Sequence, residues 1–379
     1  MNNAEHKRLG DYIREVDVRN RDLTVKLSQG ICNAKFFQNP KQVADHPETH
    51  KVVRTGQFAY NRATTRNGDK ISIAYREGPD CTVSSAYQVF EIIDEEKLLP
   101  KYLMMWFLRP EFDRLAIYYS HGSAHEFFEW ESMCDVRLPI PPLSRQREIV
   151  AEYETLTRRI RLNERLIASL ESLAQTLYRR TFVDDIDPAH LPPGWRTGTL
   201  GEFCEKMISG GTPNRSCEEY WDSPDYPWMK TGEVQNNVIL EVEEYISREG
   251  LENSSAKIIP VGTVVMAMYG GGTVSNVGYL NIETTTNQAC CNMICKTKEE
   301  SAFLFFHLRF HQDEIKRMAN GGAQENLSQE LITNLPIFLI ENKNTFAPLL
   351  TILKQLILIY REIKTLKGLQ ALKLSELGK

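Results

Sequence analysis

From Ser144 onward, apolar residues recur in alternating steps of four and three: Ile149, Tyr153, Leu156, Ile160, then Ile167, Leu170, Ala174 and Leu177. No Pro or Gly interrupts residues 144–182. This is the spacing of a coiled-coil seam and predicts one long helix over 144–182. Asn163 is the single polar seam position; it either fixes the register of a packed helix or marks a seam that opens to solvent. A second helix is predicted over 338–379. Adding 197 to the first five seam positions gives Phe346, Leu350, Leu353, Ile357 and Tyr360, all apolar. Leu349, Ile352, Leu356, Ile359, Ile363 and Leu366 widen this second stripe, so it should be buried on more than one side. At about 1.5 Å per residue, helices of this length span roughly 50 to 60 Å.

The rest of the chain alternates short apolar runs with turn signals, and it does so twice. Leu9-Gly10-Asp11-Tyr12 has a counterpart in Leu200-Gly201-Glu202-Phe203, and Leu138-Pro139-Ile140 in Leu335-Pro336-Ile337. Between these anchors, in the same order, VRTGQFAY (53–60) echoes IPVGTVVM (259–266), TVSSAYQV (82–89) echoes TTNQACCN (285–292), and YLMMWFL (102–108) echoes AFLFFHL (302–308). An internal repeat of this length implies two similar globular units. Each is expected to mix short strands, turns and a helix, an α+β class, over residues 1–143 and 183–337. The Asp-, Pro- and Gly-punctuated run VDDIDPAHLPPGW (183–195) marks the boundary. Two helices that each leave a similar unit pack most naturally as an antiparallel coiled coil in pseudo-two-fold symmetry.

Composition adds exclusions. A chain of 379 residues with 42% hydrophobic and 25% charged content describes a globular protein of two or three domains. MNNAEHKRLGDYI lacks the apolar core of a signal peptide, and FAPLLTILKQLILIY (346–360) is too short and too polar to span a membrane, so a cytoplasmic location is expected. Eight cysteines without a CxxC pair fit a reducing compartment, and Cys290, Cys291 and Cys295 read as small buried residues rather than zinc ligands. His307 with His311, and His121 with His125, have helical metal-ligand spacing but no accompanying Glu, so no metal site is expected. GGGTVSNVG (270–278) lacks the Lys-Ser/Thr of a phosphate loop and reads as a bend between strands. Neither a nuclease-like carboxylate–lysine set nor a methyltransferase motif stands out, and no catalytic residue is assigned.

Charge is informative once divided along the repeat. Net charge is −1 over 1–143, +3 over 144–182, −11 over 183–337 and +4 over 338–379. A lone nucleic-acid binder is usually basic. Charge alone therefore argues against DNA, the alternative being that partner subunits supply much of the phosphate contact. Two loop groups nevertheless carry the donors and acceptors that suit base edges and phosphates. The first is YNRATTRNGDK (60–70), with Arg62, Arg66, Asn67 and Lys70. The second gathers Lys230, Thr231, Tyr269, Thr273, Asn287, Gln288, Gln324 and Asn326. Turn-building is the competing role for the Asn, Gly and Thr residues among them.

The set GGTP, WMKT (228–231), YIS (245–247), KIIPVGT, MYG, TNQA, GGAQENLS and a Leu-Pro-led helix resembles the specificity subunit of type I restriction-modification systems, over essentially the whole chain. The first unit departs, with Ser85-Ala86 where the second has Asn287-Gln288-Ala289 and HGSAHE (121–126) where the second has GGAQEN, as expected of a different recognition type. The second helix also departs, lacking the form of PLSRQREI (142–149). The resemblance implies a non-catalytic subunit whose two target-recognition domains each read half of a split double-stranded DNA site, with the paired helices setting the gap. It further implies docking of two modification subunits that methylate adenine with S-adenosylmethionine, and restriction subunits that use ATP and Mg; no cofactor is implied in this chain itself. Arg145, Gln146 and Arg147, beside the helix start, are the candidate partner-docking residues. A coiled-coil protein scaffold without sequence-specific DNA recognition is the competing class.

Overall fold

The computed structural model describes residues 6–40, 46–63, 70–120, 127–184, 186–270, 272–319 and 326–378. Its contacts divide the chain into one unit of residues 1–160 with 365–379 and another of residues 161–364. The candidate residues Arg66, Asn67 and Gln324 lie outside the described residues.

The first unit is built on an antiparallel sheet in the order Ile13–Val16, Tyr87–Ile92, Phe58–Asn61, Ile73–Tyr75. The second repeats that order with Lys206–Ser209, Cys290–Ile294, Val264–Ala267 and Val277–Leu280, then adds Val238–Ile239 in parallel at the edge. The sequence echoes coincide with this repetition. Gly56 and Gly262 both turn the chain into their strands at φ +93°, a conformation that favours glycine. In the first unit Ala86 N–H donates to Ser84 Oγ (3.4 Å) and Tyr87 N–H to the Ser84 carbonyl (3.1 Å). In the second, Ala289 N–H donates to Asn287 Oδ1 (3.2 Å) and Cys290 N–H to the Asn287 carbonyl (3.2 Å). The two Leu-Pro-Ile runs also correspond. Arg137–Pro139 pairs with His6–Arg8, and Pro336–Ile340 pairs with Trp195–Thr199, each ribbon leading into a long helix.

Those helices are Leu143–Arg179, continued by a π-helical turn over Arg180–Asp184, and Ala347–Glu376, preceded by a 3-10 turn over Lys343–Phe346. Within the first unit Lys373 Nζ meets Glu152 Oε2 at 2.8 Å and Gln370 Nε2 donates to Thr157 Oγ1 at 2.7 Å. Rising numbers on one segment meet falling numbers on the other, so these segments run antiparallel. Within the second unit Ala174, Tyr178 and Phe182 share a core with Phe346, Leu349, Leu353 and Leu356. None of the seam positions from Ile149 to Leu177 is exposed. Asn163 is 4% exposed, so the seam stays closed there. The wider stripe of the second helix is buried at Leu349, Leu350, Ile352, Leu353, Leu356, Ile359 and Ile363.

The sheets of both units carry a helix on one face, Pro100–Phe107 in the first and Lys298–Phe310 in the second. Phe58, Phe90 and Phe107 meet beneath the first. In the helix Lys298–Phe310 His307 is buried, and its Nδ1 lies 2.6 Å from Tyr178 Oη. Burial, with His311 nearby, pulls its pKa down to about 3, so the ring is neutral and belongs to the core. Cys290 and Cys291 are buried as well, and burial pushes the Cys291 thiol up to about 12. No helix among the described residues is long and apolar enough to cross a membrane.

Candidate nucleic-acid interface

One pair of backbone contacts recurs at the sheet end of each unit. In the first, Ala63 forms a β-bridge with Phe127, and Phe128 N–H donates to the Arg62 carbonyl (2.9 Å). In the second, Tyr269 bridges Asn326, and Leu327 N–H donates to the Met268 carbonyl (2.8 Å). The backbone just past the strand Phe58–Asn61 is thus pinned to residues 127 and 128, and the backbone just past Val264–Ala267 to residues 326 and 327. This ties the candidate loops of each unit to one end of its sheet.

In the first unit the described candidates are Arg62 and Lys70. Arg62 Nη1 is 3.3 Å from Glu129 Oε2, and its guanidinium lies 5.3 Å from the Phe127 ring centre. Lys70 lines a cavity of about 900 Å³ with Asn33, Lys35, Asp113, Arg114 and Tyr118. Arg62 and Lys70 share no described contact.

The second unit brings more of its candidates together. Lys230, Thr231 and Asn287 line one cavity of about 590 Å³ with Arg215, Trp228, Gly232, Glu233, Gln235 and Glu243. Lys230 Nζ lies 2.8 Å from Glu244 Oε1 and 3.0 Å from Glu243 Oε2, and these carboxylates raise its pKa, Glu244 most. Burial pulls Glu244 upward, but the hydrogen bonds from Lys230 and Arg215 outweigh it and hold the carboxyl below its ordinary value. Burial raises Glu233, although the backbone N–H groups of Lys230 and Glu243 both donate to it. Thr273 closes the bend between strands, its N–H donating to the Gly270 carbonyl (3.2 Å), where Gly270 takes φ +128°. A Cβ on Gly270 would lie 2.9 Å from Thr273 Oγ1 and 3.7 Å from Thr231 Oγ1, which places these hydroxyls at one spot. Gln288 is exposed, and its Oε1 accepts from Thr212 Oγ1. Tyr269 and Asn326 meet through backbone at the bridge.

The structure corrects one docking residue. Gln146 is fully buried and cannot meet a partner. Its Oε1 accepts from Leu99 N–H (2.8 Å), and its Nε2 donates to the carbonyls of Lys97 (2.8 Å) and Pro141 (2.9 Å). Leu99 is the N-cap of the helix Pro100–Phe107, whose third residue, Tyr102, cannot reach back with a Glu or Gln oxygen to the N-cap N–H, so Gln146 supplies that acceptor. In the second unit Glu300 does this for Thr297, accepting its N–H at 3.1 Å, and Lys343, at the position matching Gln146, meets Glu300 at 2.8 Å. The departure of the second helix from the first thus has a local cause. Arg145 and Arg147 are exposed, and Arg145 pairs with Glu148 at 2.9 Å. Gln146→Leu should strand a buried N–H and two carbonyls and cost roughly 2 to 4 kcal/mol. Hydrogen exchange of the Leu99 amide would report it, and unchanged protection would place the anchor elsewhere.

Sequence reasoning passed over Arg215, which follows the GGTP motif. Its guanidinium lies 3.6 Å from the Trp221 ring centre and 4.6 Å from that of Trp228, and Nη1 donates to Glu244 Oε2 at 2.6 Å. The signal was an arginine preceding two tryptophans in a strongly acidic segment.

A model of the type I restriction modification DNA specificity domain matches residues 55–172 and 192–365. The chain belongs to this family. The specificity subunit of the type I restriction enzyme HindI of Haemophilus influenzae is 21% identical over an alignment of 418 residues covering 89% of this chain and 90% of that protein. The EcoR124I/EcoR124II specificity subunit of Escherichia coli is 27% identical over 194 residues, 49% of this chain and 44% of its own length. A solved S subunit of a type I restriction-modification system from M. genitalium superposes with a TM-score of 0.58 at 14% identity, covering 100% of this chain and 97% of its own. The specificity-domain family thus joins the repeated fold.

Proposed function

We propose that this specificity-domain protein reads a bipartite double-stranded DNA target, one half-site per globular unit, and docks two modification subunits that carry out adenine methylation. The observation that carries this reading is the recurrence of one loop-anchoring arrangement, Ala63 with Phe127 and Tyr269 with Asn326, in two units of one chain. Two copies of a recognition frame on one covalent chain suit a target of two parts at a fixed gap. Arg62, Arg66, Asn67 and Lys70 are proposed for the first half. Lys230, Thr231, Tyr269, Thr273, Gln288, Gln324 and Asn326 are proposed for the second, with Asn287 also holding its turn. The long helices act as the spacer, and Arg145 and Arg147 face a partner. S-adenosylmethionine, ATP and Mg belong to the partner subunits, and the complex works in the cytoplasm.

The test is to express the chain with its modification subunits in a host that lacks adenine methylation and to map methylated sites. A split motif that depends on this chain is expected, with Arg62→Ala loosening one half and Lys230→Ala the other. A complex that assembles without producing any motif would favour a protein scaffold, the reading that the −11 segment supports.

A further inference from the structure

We infer that Arg215 reads a guanine in the second half-site, with Trp221, Trp228 and Glu244 holding its guanidinium for that purpose. The inference rests on the DNA-specificity reading above. Arginine recognises guanine through two parallel N–H donors aimed at O6 and N7 in the major groove, and this needs a planar fork held at a fixed angle. Arg215 has such a mount. The indole of Trp221 lies face-on beneath it, Trp228 stands edge-to-face to Trp221 at 4.9 Å and 88°, and both indoles are tied to backbone. Trp221 Nε1 donates to the Asn214 carbonyl (3.2 Å) and Trp228 Nε1 to that of Gly211 (2.9 Å). Glu244 takes one of the five guanidinium donors. The side chain is still half exposed.

The surroundings argue against a phosphate contact. Phosphate binding rewards unpaired positive charge, whereas Glu243 lines the cavity that Arg215 shares with Lys230 and Glu244 pairs with both cations, in a segment of net charge −11. An arginine stacked on tryptophan and buttressed by a carboxylate adds little charge but much direction. Lys230, Thr231 and Asn287 line the same cavity, so the reader stands among the residues proposed for this half-site.

The experiment uses the complete complex of this chain with its modification subunits. The methylation motif of the unaltered complex should contain a G·C pair in the half that Lys230→Ala loosens. Arg215→Lys keeps the charge but loses the fork, and should lower discrimination at that one pair about tenfold to a hundredfold, leaving the first half strict and the salt dependence of DNA binding unchanged. Glu244→Gln, which leaves the tryptophan shelf intact, should loosen the same pair and serves if Arg215→Lys does not fold. A second half without a G·C pair overturns the inference, as does strict reading by both variants. Arg215→Gln that weakens binding to all sequences equally, with a shallower salt dependence, would make Arg215 a phosphate contact and overturn it too. A complex with no split motif takes down the specificity reading itself, whereas a split motif indifferent to Arg215 takes down this inference alone.

Discussion

Phe346→Ala is expected to destabilise the second unit by about 3 to 5 kcal/mol, the cost of emptying a well-packed aromatic site. Phe346 is fully buried, stacks on Phe303 at 4.3 Å and 14°, and also meets Phe182 and Phe203. It therefore joins the start of the second long helix to the end of the first and to the helix lying on the sheet. Few substitutions touch so many elements at once. Thermal unfolding of the chain should show an early transition, and hydrogen exchange should place the loss of protection in residues 161–364. Exchange that rises only in the 3-10 turn would mean that this cluster does not anchor the helix. Phe346→Leu, which refills most of the volume, should recover a large part of the loss.

The repeat was legible because apolar spacing, Gly before a strand and Leu-Pro before a helix are local marks that survive sequence divergence. The seam from Ile149 to Leu177 could be read residue by residue, since a helix that buries one stripe must place apolar groups at that period. Gln146 was misread for a reason equally physical. SRQRE looks like a charged surface run, and nothing nearby says that the backbone N–H of Leu99, 47 positions earlier, needs an acceptor. An amide that completes a distant helix terminus is invisible until the chain is folded. Arg215 was missed in the same way, because its importance lies in two indole faces that only tertiary structure brings to it. Lys230 was found by motif, but its neutralisation by Glu243 and Glu244 was not, since a pair is a matter of distance and not of order along the chain.

The second large effect is expected in the first unit, at Lys35. Its ammonium lies 2.7 Å from Asp113 Oδ1, with side chains 4% and 9% exposed, and it also donates to the Phe107 carbonyl. Burial lowers the pKa of Lys35, and the hydrogen bond and charge of Asp113 work against that shift. Asp113 Oδ1 also accepts the N–H of Ile71 (3.1 Å), so the pair fastens the turn at Lys35, the strand region at Ile71 and the helix Pro110–Ser120 to one another. Lys35→Met removes the cation and leaves a buried carboxylate held, among the described residues, by the Ile71 amide, which should cost about 3 to 5 kcal/mol. Replacing both partners, as in Lys35→Met with Asp113→Leu, should cost distinctly less, because no charge is then stranded in the interior. Chemical denaturation of the two variants separates the possibilities. If the double variant is no more stable than the single one, the hydrogen bonds to Phe107 and Ile71, and not the ion pair, hold this corner. Lys70, Arg114 and Tyr118 line the cavity beside the pair. The single variant should therefore also disturb the first half-site, while the second stays strict.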